Sequence, residues 1–211
     1  MTITAVIFDL GGVVIASPMQ TFAAHEREQG LEHNFINRMI VANGSESAWG
    51  RLERGEIAMD AEFFALFDAE LATAGAPGLC SQQIFADVAA TAGVNDNMVA
   101  AIGLLRDAGY KLAALTNNWV DAKDPGVAHS LQSLFDAFVE SAVEGVRKPD
   151  PRIYQIVCER LEIEPGAAIF LDDIGQNLKS ARALGMTTIK VVEPLQAIVE
   201  LEQILGLELQ S

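Results

Sequence analysis

The run Ala5-Val6-Ile7-Phe8-Asp9-Leu10-Gly11-Gly12-Val13-Val14 is apolar up to a single carboxylate and then turns at once through two glycines. Its first four residues read as a buried strand. A strand this apolar needs cover on both faces, as strands of parallel sheets have. Open α/β sheets carry their chemistry beyond the carboxyl ends of the strands, so Asp9 falls where a site belongs.

Working outward, the chain from about Asn95 alternates helix and strand. Helices are expected at Asn95 to Ala108, around Val127 to Leu134, at Pro151 to Leu161, at Gln176 to Leu184 and at Pro194 to Leu205. Between them lie apolar or β-branched runs at Lys111 to Thr116, Ala137 to Ser141, Ala167 to Leu171 and Thr187 to Val192. With the opening strand this predicts an α/β fold, a doubly wound, Rossmann-like parallel sheet. From about Ser17 to Ala92 no strand is convincing. Helical stretches follow one another there, with breaks near Gly30, Asn43-Gly44, Gly55 and Gly75 to Gly78. The two clearest are Asp60 to Ala74, with an Asp at its start and Phe63, Phe64, Phe67 and Leu71 at helical spacing, and Ser81 to Ala90. The expected organisation is a core of residues 1–16 and 93–211 with a helical cap, 17–92, inserted after the first strand and seated over the sheet edge that bears the site.

Composition bounds the function. The chain has 211 residues, half of them hydrophobic, enough for a full core. A formal charge of −15 argues against nucleic acid or an anionic membrane surface as partner, because long-range steering would be repulsive. A small anionic substrate fits only if cations neutralise it. Cys80 and Cys158 show no metal or redox spacing and read as reduced thiols of a cytoplasmic protein. The apolar start lacks a basic leader and is broken by Asp9, unlike a signal peptide, and no later run is long enough to span a bilayer. Oligomeric state is not legible.

Four features fall at or just after strand ends: Asp9; Thr116-Asn117-Asn118; Lys148 within Gly145-Val146-Arg147-Lys148-Pro149-Asp150-Pro151; and Asp172-Asp173. Carboxylates sharing one edge repel one another unless the Lys148 ammonium and a divalent cation hold them ionised. Hard oxygen ligands suit Mg²⁺, which shares its shell with substrate phosphate. The expectation is a metal-assisted phosphoryl site with Asp9 as nucleophile. Receiver domains use the same residue types, but their acidic pair comes first; here it comes last.

With its motifs FDLGGVV, LTNN, VRKPDP and FLDDIGQN in this order, the chain resembles the haloacid dehalogenase superfamily of hydrolases over nearly its whole length. Longer stretches, LTNNWVDA, VESAVEGVRKPDPRIY and FLDDIGQNLKSARALGMTTI, are similar to the phosphatase domain at the N-terminus of soluble epoxide hydrolase, and Arg51 to Ile57 to its helical cap. The resemblance implies that Asp9 attacks phosphorus to form an aspartyl phosphate, that Thr116 and the Asn117 amide bind the phosphoryl oxygens, and that Lys148 neutralises charge. It also implies that Mg²⁺ is held by Asp9, the Gly11 carbonyl and Asp172, with Asp173 as an alternate ligand or as the group orienting metal-bound water.

The sequence departs from the family at Gly11, where the resemblance calls for a second Asp that protonates the leaving oxygen and then activates water. Losing such a group costs ~10²–10⁴ in rate. Water, substrate or a cap residue such as Glu53 or Glu56 could substitute. Two other readings stay open: a metal-independent 2-haloacid dehalogenase, since halide leaves without a proton, and a catalytically weak relative that binds phosphometabolites or a protein partner. Asp150 followed by Pro151 reads as a helix start, and Gln176 and Asn177 as helix caps or neighbours of the substrate. Arg51 and Arg54 read as exposed helix arginines, Trp49 as cap core, Trp119 as a pocket wall or a seal between core and cap, and His25, His33 and His129 as surface residues.

Overall fold

The computed structural model describes residues 2–119 and 126–210. The chain opens with β1 (Ala5–Phe8). Five helices follow: α1 (Met19–Glu28), α2 (Phe35–Asn43), α3 (Ala48–Glu53), α4 (Ala61–Thr73) and α5 (Ser81–Thr91). The alternating part runs α6 (Asp96–Asp107), β2 (Lys111–Thr116), α7 (Gly126–Ser130), β3 (Ala137–Glu140), α8 (Ser141–Glu144), α9 (Pro151–Leu161), β4 (Ala168–Asp172), α10 (Gly175–Ala183), β5 (Thr187–Lys190) and α11 (Pro194–Leu205). The helix starts carry their signals: Asp60 accepts from the Glu62 amide at 2.9 Å, Asn95 from that of Met98 at 3.0 Å, and Asp150 from that of Arg152 at 2.9 Å ahead of Pro151. The helix expected from Val127 to Leu134 is shorter than read. It divides into α7 and a 3₁₀ turn, Gln132–Leu134, whose i→i+3 bonds tighten the approach to β3.

The five strands form one parallel sheet in the order β3-β2-β1-β4-β5. The sheet is doubly wound, as the alternation implied. β1 is central and wholly buried because its residues alternate between two cores. Val6 and Phe8 face Met98, Ile102 and Leu105 of α6 and Ile198 and Leu201 of α11. Ala5 and Ile7 face Ile153, Tyr154 and Val157 of α9 and Leu178 and Ala181 of α10.

Helices α1 to α5 build a third apolar cluster of their own, centred on Phe22, Trp49, Phe63, Phe67 and Phe85. Trp119, just past β2, packs edge-on against Trp49 at 6.0 Å and Phe85 at 5.2 Å, so it seals these helices to the sheet side of the molecule. The chain leaves and re-enters the sheet layer through a paired stem. Ile15 bridges Val94 in antiparallel fashion, the Ala16 amide donates to Gly93 O at 2.8 Å and the Asn95 amide to Val14 O at 2.8 Å. Among the described residues no helix is long and apolar enough to cross a membrane.

Candidate active site

From β1 the chain moves one way to β2 and β3, then returns across β1 to β4 and β5. The strand order therefore reverses between β1 and β4, where open α/β sheets leave a crevice at their carboxyl edge. Asp9 stands one residue past β1, and Asp172 ends β4. The register Phe8↔Leu171 sets the two acids side by side, and the Asp9 amide donates to Leu171 O at 2.9 Å. Thr116, buried, ends the neighbouring β2.

Lys148 reaches this point from the loop between α8 and α9. Its ammonium lies 2.8 Å from Asp9 Oδ1 and 2.7 Å from Asp172 Oδ2, with only 1 % of the residue exposed. It also sits 5.5 Å from the centre of the Phe170 ring, a favourable place for a cation. Both polar atoms of the Asn117 side chain are spent on holding Lys148: Nδ2 donates to Lys148 O at 3.0 Å and Oδ1 accepts from the Lys148 amide at 2.8 Å. The side chain of Asn117 thus positions the lysine, and any contact with substrate falls to its backbone amide.

Asp173, half-buried, completes the acidic group. Asp9, Asp172 and Asp173 each bring one carboxylate oxygen within 4.8 Å of the others. Gly12 is required here twice over: its φ of +80° suits glycine, and a Cβ would run into the Asp173 carboxylate. Gly11 is the opposite case, with nothing within 4 Å of the place a Cβ would take.

One ammonium does not neutralise three acids. Burial, reinforced by Asp172 and Asp173, pushes the Asp9 carboxyl up to about 8 in spite of Lys148. Burial and Asp172 push Asp173 up to about 6. Burial alone would pull the Lys148 ammonium down, but the Asp9 and Asp172 carboxylates outweigh it and hold the group above its ordinary value. Acids whose pKa is raised on folding bind protons more tightly in the native state. Their stabilising effect is complete below about 3.8 and is lost as pH rises through about 6 for Asp173 and about 8 for Asp9. The melting midpoint of the metal-free protein is therefore expected to fall between pH 5 and pH 8, as thermal scans in chelator will read. An acidic set of hard oxygens that burial leaves under-neutralised is a good fit to a divalent cation, and Asp9, Asp172 and Asp173 are the residues placed to hold it.

The structure adds contacts that the sequence reading missed. Asn177 is not a helix cap, for α10 starts at Gly175 after Ile174. Its Nδ2 lies 3.2 and 3.1 Å from the two oxygens of Asp172, and Tyr154 Oη donates to its carbonyl at 2.9 Å. The first turn of α10 folds back over β4's end, so a donor five residues after the acid reaches it; the signal was the spacing D-D-x-x-x-N. His25 is not a free surface residue: its Nε2 is 2.9 Å from Asp87 Oδ2, joining α1 to α5. Arg54 is not an exposed helix arginine: it follows the last residue of α3, its side chain is mostly covered, and it donates to Glu56 from Nε at 2.6 Å and Nη2 at 2.9 Å. Glu53 is buried, with Oε2 2.9 Å from Nη1 of Arg147, the neighbour of Lys148.

A buried Asp-Lys-Asp cluster thus stands at the switch point of a doubly wound parallel sheet. Residues 3–185 match the haloacid dehalogenase-like hydrolase model, and the chain belongs to that family. It is 37% identical to mouse acyl-CoA dehydrogenase family member 10 over 97% of its length and 32% identical to pig bifunctional epoxide hydrolase 2 over 99%. The chain spans only 19% and 40% of those two proteins. It is also 28% identical to the sesquiterpene phosphatase astK of Aspergillus oryzae, over 97% of this chain and 98% of that one. Among solved structures, a HAD phosphatase from Thermococcus onnurineus superposes with a TM-score of 0.63 at 23% identity, covering 99% and 100% of the two chains. L-2-haloacid dehalogenase from Xanthobacter autotrophicus gives 0.62 at 22%, covering 100% and 85%. The fold is thus shared by enzymes of both chemistries and does not choose between them.

Proposed function

We propose that the chain is a Mg²⁺-dependent phosphatase of small phosphomonoesters that works through an aspartyl phosphate on Asp9. The observation that carries the reading is the convergence of Asp9, Asp172 and Asp173 within 4.8 Å around one ammonium. A haloacid brings its own carboxylate, which these acids would repel, whereas a phosphate dianion arrives with a divalent cation. Bound among the three carboxylates and the Gly11 carbonyl, Mg²⁺ would supply charge neutralisation for the phosphoryl oxygens. The chain's own residues do the rest. Asp9 is the nucleophile, Lys148 together with the bound cation would hold it ionised, Lys148 offsets charge developing on the transferred group, and Thr116 with the Asn117 amide binds phosphoryl oxygens. Asn177 and Lys148 fix Asp172, and Asp173 orients water. Helices α1 to α5 serve as a cap that closes over the edge and excludes bulk water. Similarity to astK over nearly the full length of both chains supports a phosphoester rather than a haloacid as substrate.

The test is phosphate release from p-nitrophenyl phosphate, whose leaving group scarcely needs an acid. Release is expected with Mg²⁺ and is expected to vanish on chelation with EDTA, while 2-chloropropionate yields no chloride under either condition. Chloride release that survives the chelator overturns the reading in favour of a dehalogenase.

A further inference from the structure

We propose that Glu53, carried on the helical insert, is the group that gives and takes the proton in this reaction, the role that Gly11 leaves empty; the assignment rests on the phosphatase reading above. Glu53 ends α3, and 5 % of the residue is exposed. Burying a carboxylate is costly unless it is fully paired, and α3 does not need it: the helix is already capped by Ser47, which accepts from the Gly50 amide at 3.0 Å. Among the described residues, Arg147 Nη1 comes within 2.9 Å of Oε2 but without hydrogen-bond alignment, so Oε2 is buried there with no aligned donor.

That oxygen lies at the junction between insert and site. Arg147 Nε donates to Lys148 O at 3.3 Å, the Lys148 backbone is held by Asn117, and the Lys148 ammonium rests on Asp9. The turn after Glu53 is pressed onto the same region. Gly55, with φ of +67°, lies so close to Ala142 O in α8 that no Cβ fits. Burial raises the Glu53 carboxyl above its ordinary range, against the pull of Arg147 and of the Trp49 side chain. Glu56, the other acid of this turn, is drawn the opposite way: Arg54 holds it below the usual range, at the surface. An aspartate introduced at Gly11 would meet no steric obstacle, since no atom lies within 4 Å of an added Cβ there.

The steps balance. In the first, Asp9 Oδ bonds to phosphorus, the P–O bond to the leaving group breaks, and Glu53 gives its proton to the departing alkoxide. In the second, water bonds to phosphorus, Glu53 takes its proton, and the P–O bond to Asp9 breaks. Phosphate and the two side chains in their starting states result.

Glu53→Gln, near-isosteric and neutral, is compared with wild type on p-nitrophenyl phosphate and on an alkyl phosphate, with the melting midpoint as a fold control. Alkyl phosphate turnover is expected to fall about 10²-fold. Nitrophenolate is expected to appear as a burst of about one per enzyme followed by a slow steady state, because only the second step then needs the missing base. Gly11→Asp added to Glu53→Gln is expected to restore alkyl turnover and abolish the burst. Wild-type rates in Glu53→Gln, a parallel loss of burst and steady state, or a failure of Gly11→Asp to restore turnover would each overturn the assignment and leave Glu53 a clamp on the insert. If wild type itself shows no Asp9-dependent nitrophenolate release, the phosphatase reading fails, and this one with it.

Discussion

Replacing Asp9 by Asn is expected to lower Mg²⁺-dependent release of nitrophenolate from p-nitrophenyl phosphate by at least about 10⁴-fold, because an amide cannot form the acyl phosphate on which both steps depend. The substitution keeps the shape of the side chain and removes one of three mutually repelling charges. Burial outweighs the Lys148 ammonium in setting the Asp9 carboxyl at about 8, so ionised Asp9 is a net strain on the metal-free fold near neutral pH. The variant is therefore expected to melt no lower than wild type at pH 8 in chelator. Steady-state rates and a melting curve check both halves. A residual rate within tenfold of wild type would falsify the nucleophile assignment.

Lys148→Met is expected to be the most damaging single change to stability. The ammonium lies within 2.8 Å of both Asp9 Oδ1 and Asp172 Oδ2, and the residue is 1 % exposed. Methionine fills much of the same path but leaves two buried carboxylates facing each other. Removing one partner of a buried pair costs about 3–5 kcal/mol. Denaturant unfolding in chelator will read the loss directly. A second substitution, Asp9→Asn in the Lys148→Met background, is expected to recover part of it, since the two sites are in contact and their effects cannot add. Equal stability of wild type and Lys148→Met would show that the acids share a proton and never needed the lysine.

The three inner strands were legible because their residues obey one local rule, four or five consecutive buried positions bounded by turns, whereas the half-buried edge strands β3 and β5 were legible from their place between helices. The order Asp9, Thr116, Lys148, Asp172 was legible because each of these residues ends or follows such a run. Strand topology then needed no further information to put them on one edge. The contacts that tune these residues were not legible in the same way. Glu53 meets Arg147 across more than ninety positions, and His25 meets Asp87 across sixty-two, with no pattern linking either pair in the sequence. Asn117 was singled out for its amide, but the pairing of its side chain with the backbone of Lys148 was not legible, because it depends on the loop bearing the lysine passing the end of β2. Local chemistry announces which groups can react; which of them are already engaged is decided by packing between distant segments.

The paired stem at Ile15 and Val94 has a consequence for how such a protein can diversify. Because the chain departs and returns at adjacent points, tied by the Ala16–Gly93 and Val14–Asn95 hydrogen bonds, everything between them is, from the sheet's standpoint, a closed loop. Loop-closure entropy grows only with the logarithm of length. Helices can accordingly be lengthened, trimmed or exchanged beyond that stem without shifting any strand register. The sheet can stay constant while everything beyond the stem is rewritten, through changes in one contiguous stretch of the gene.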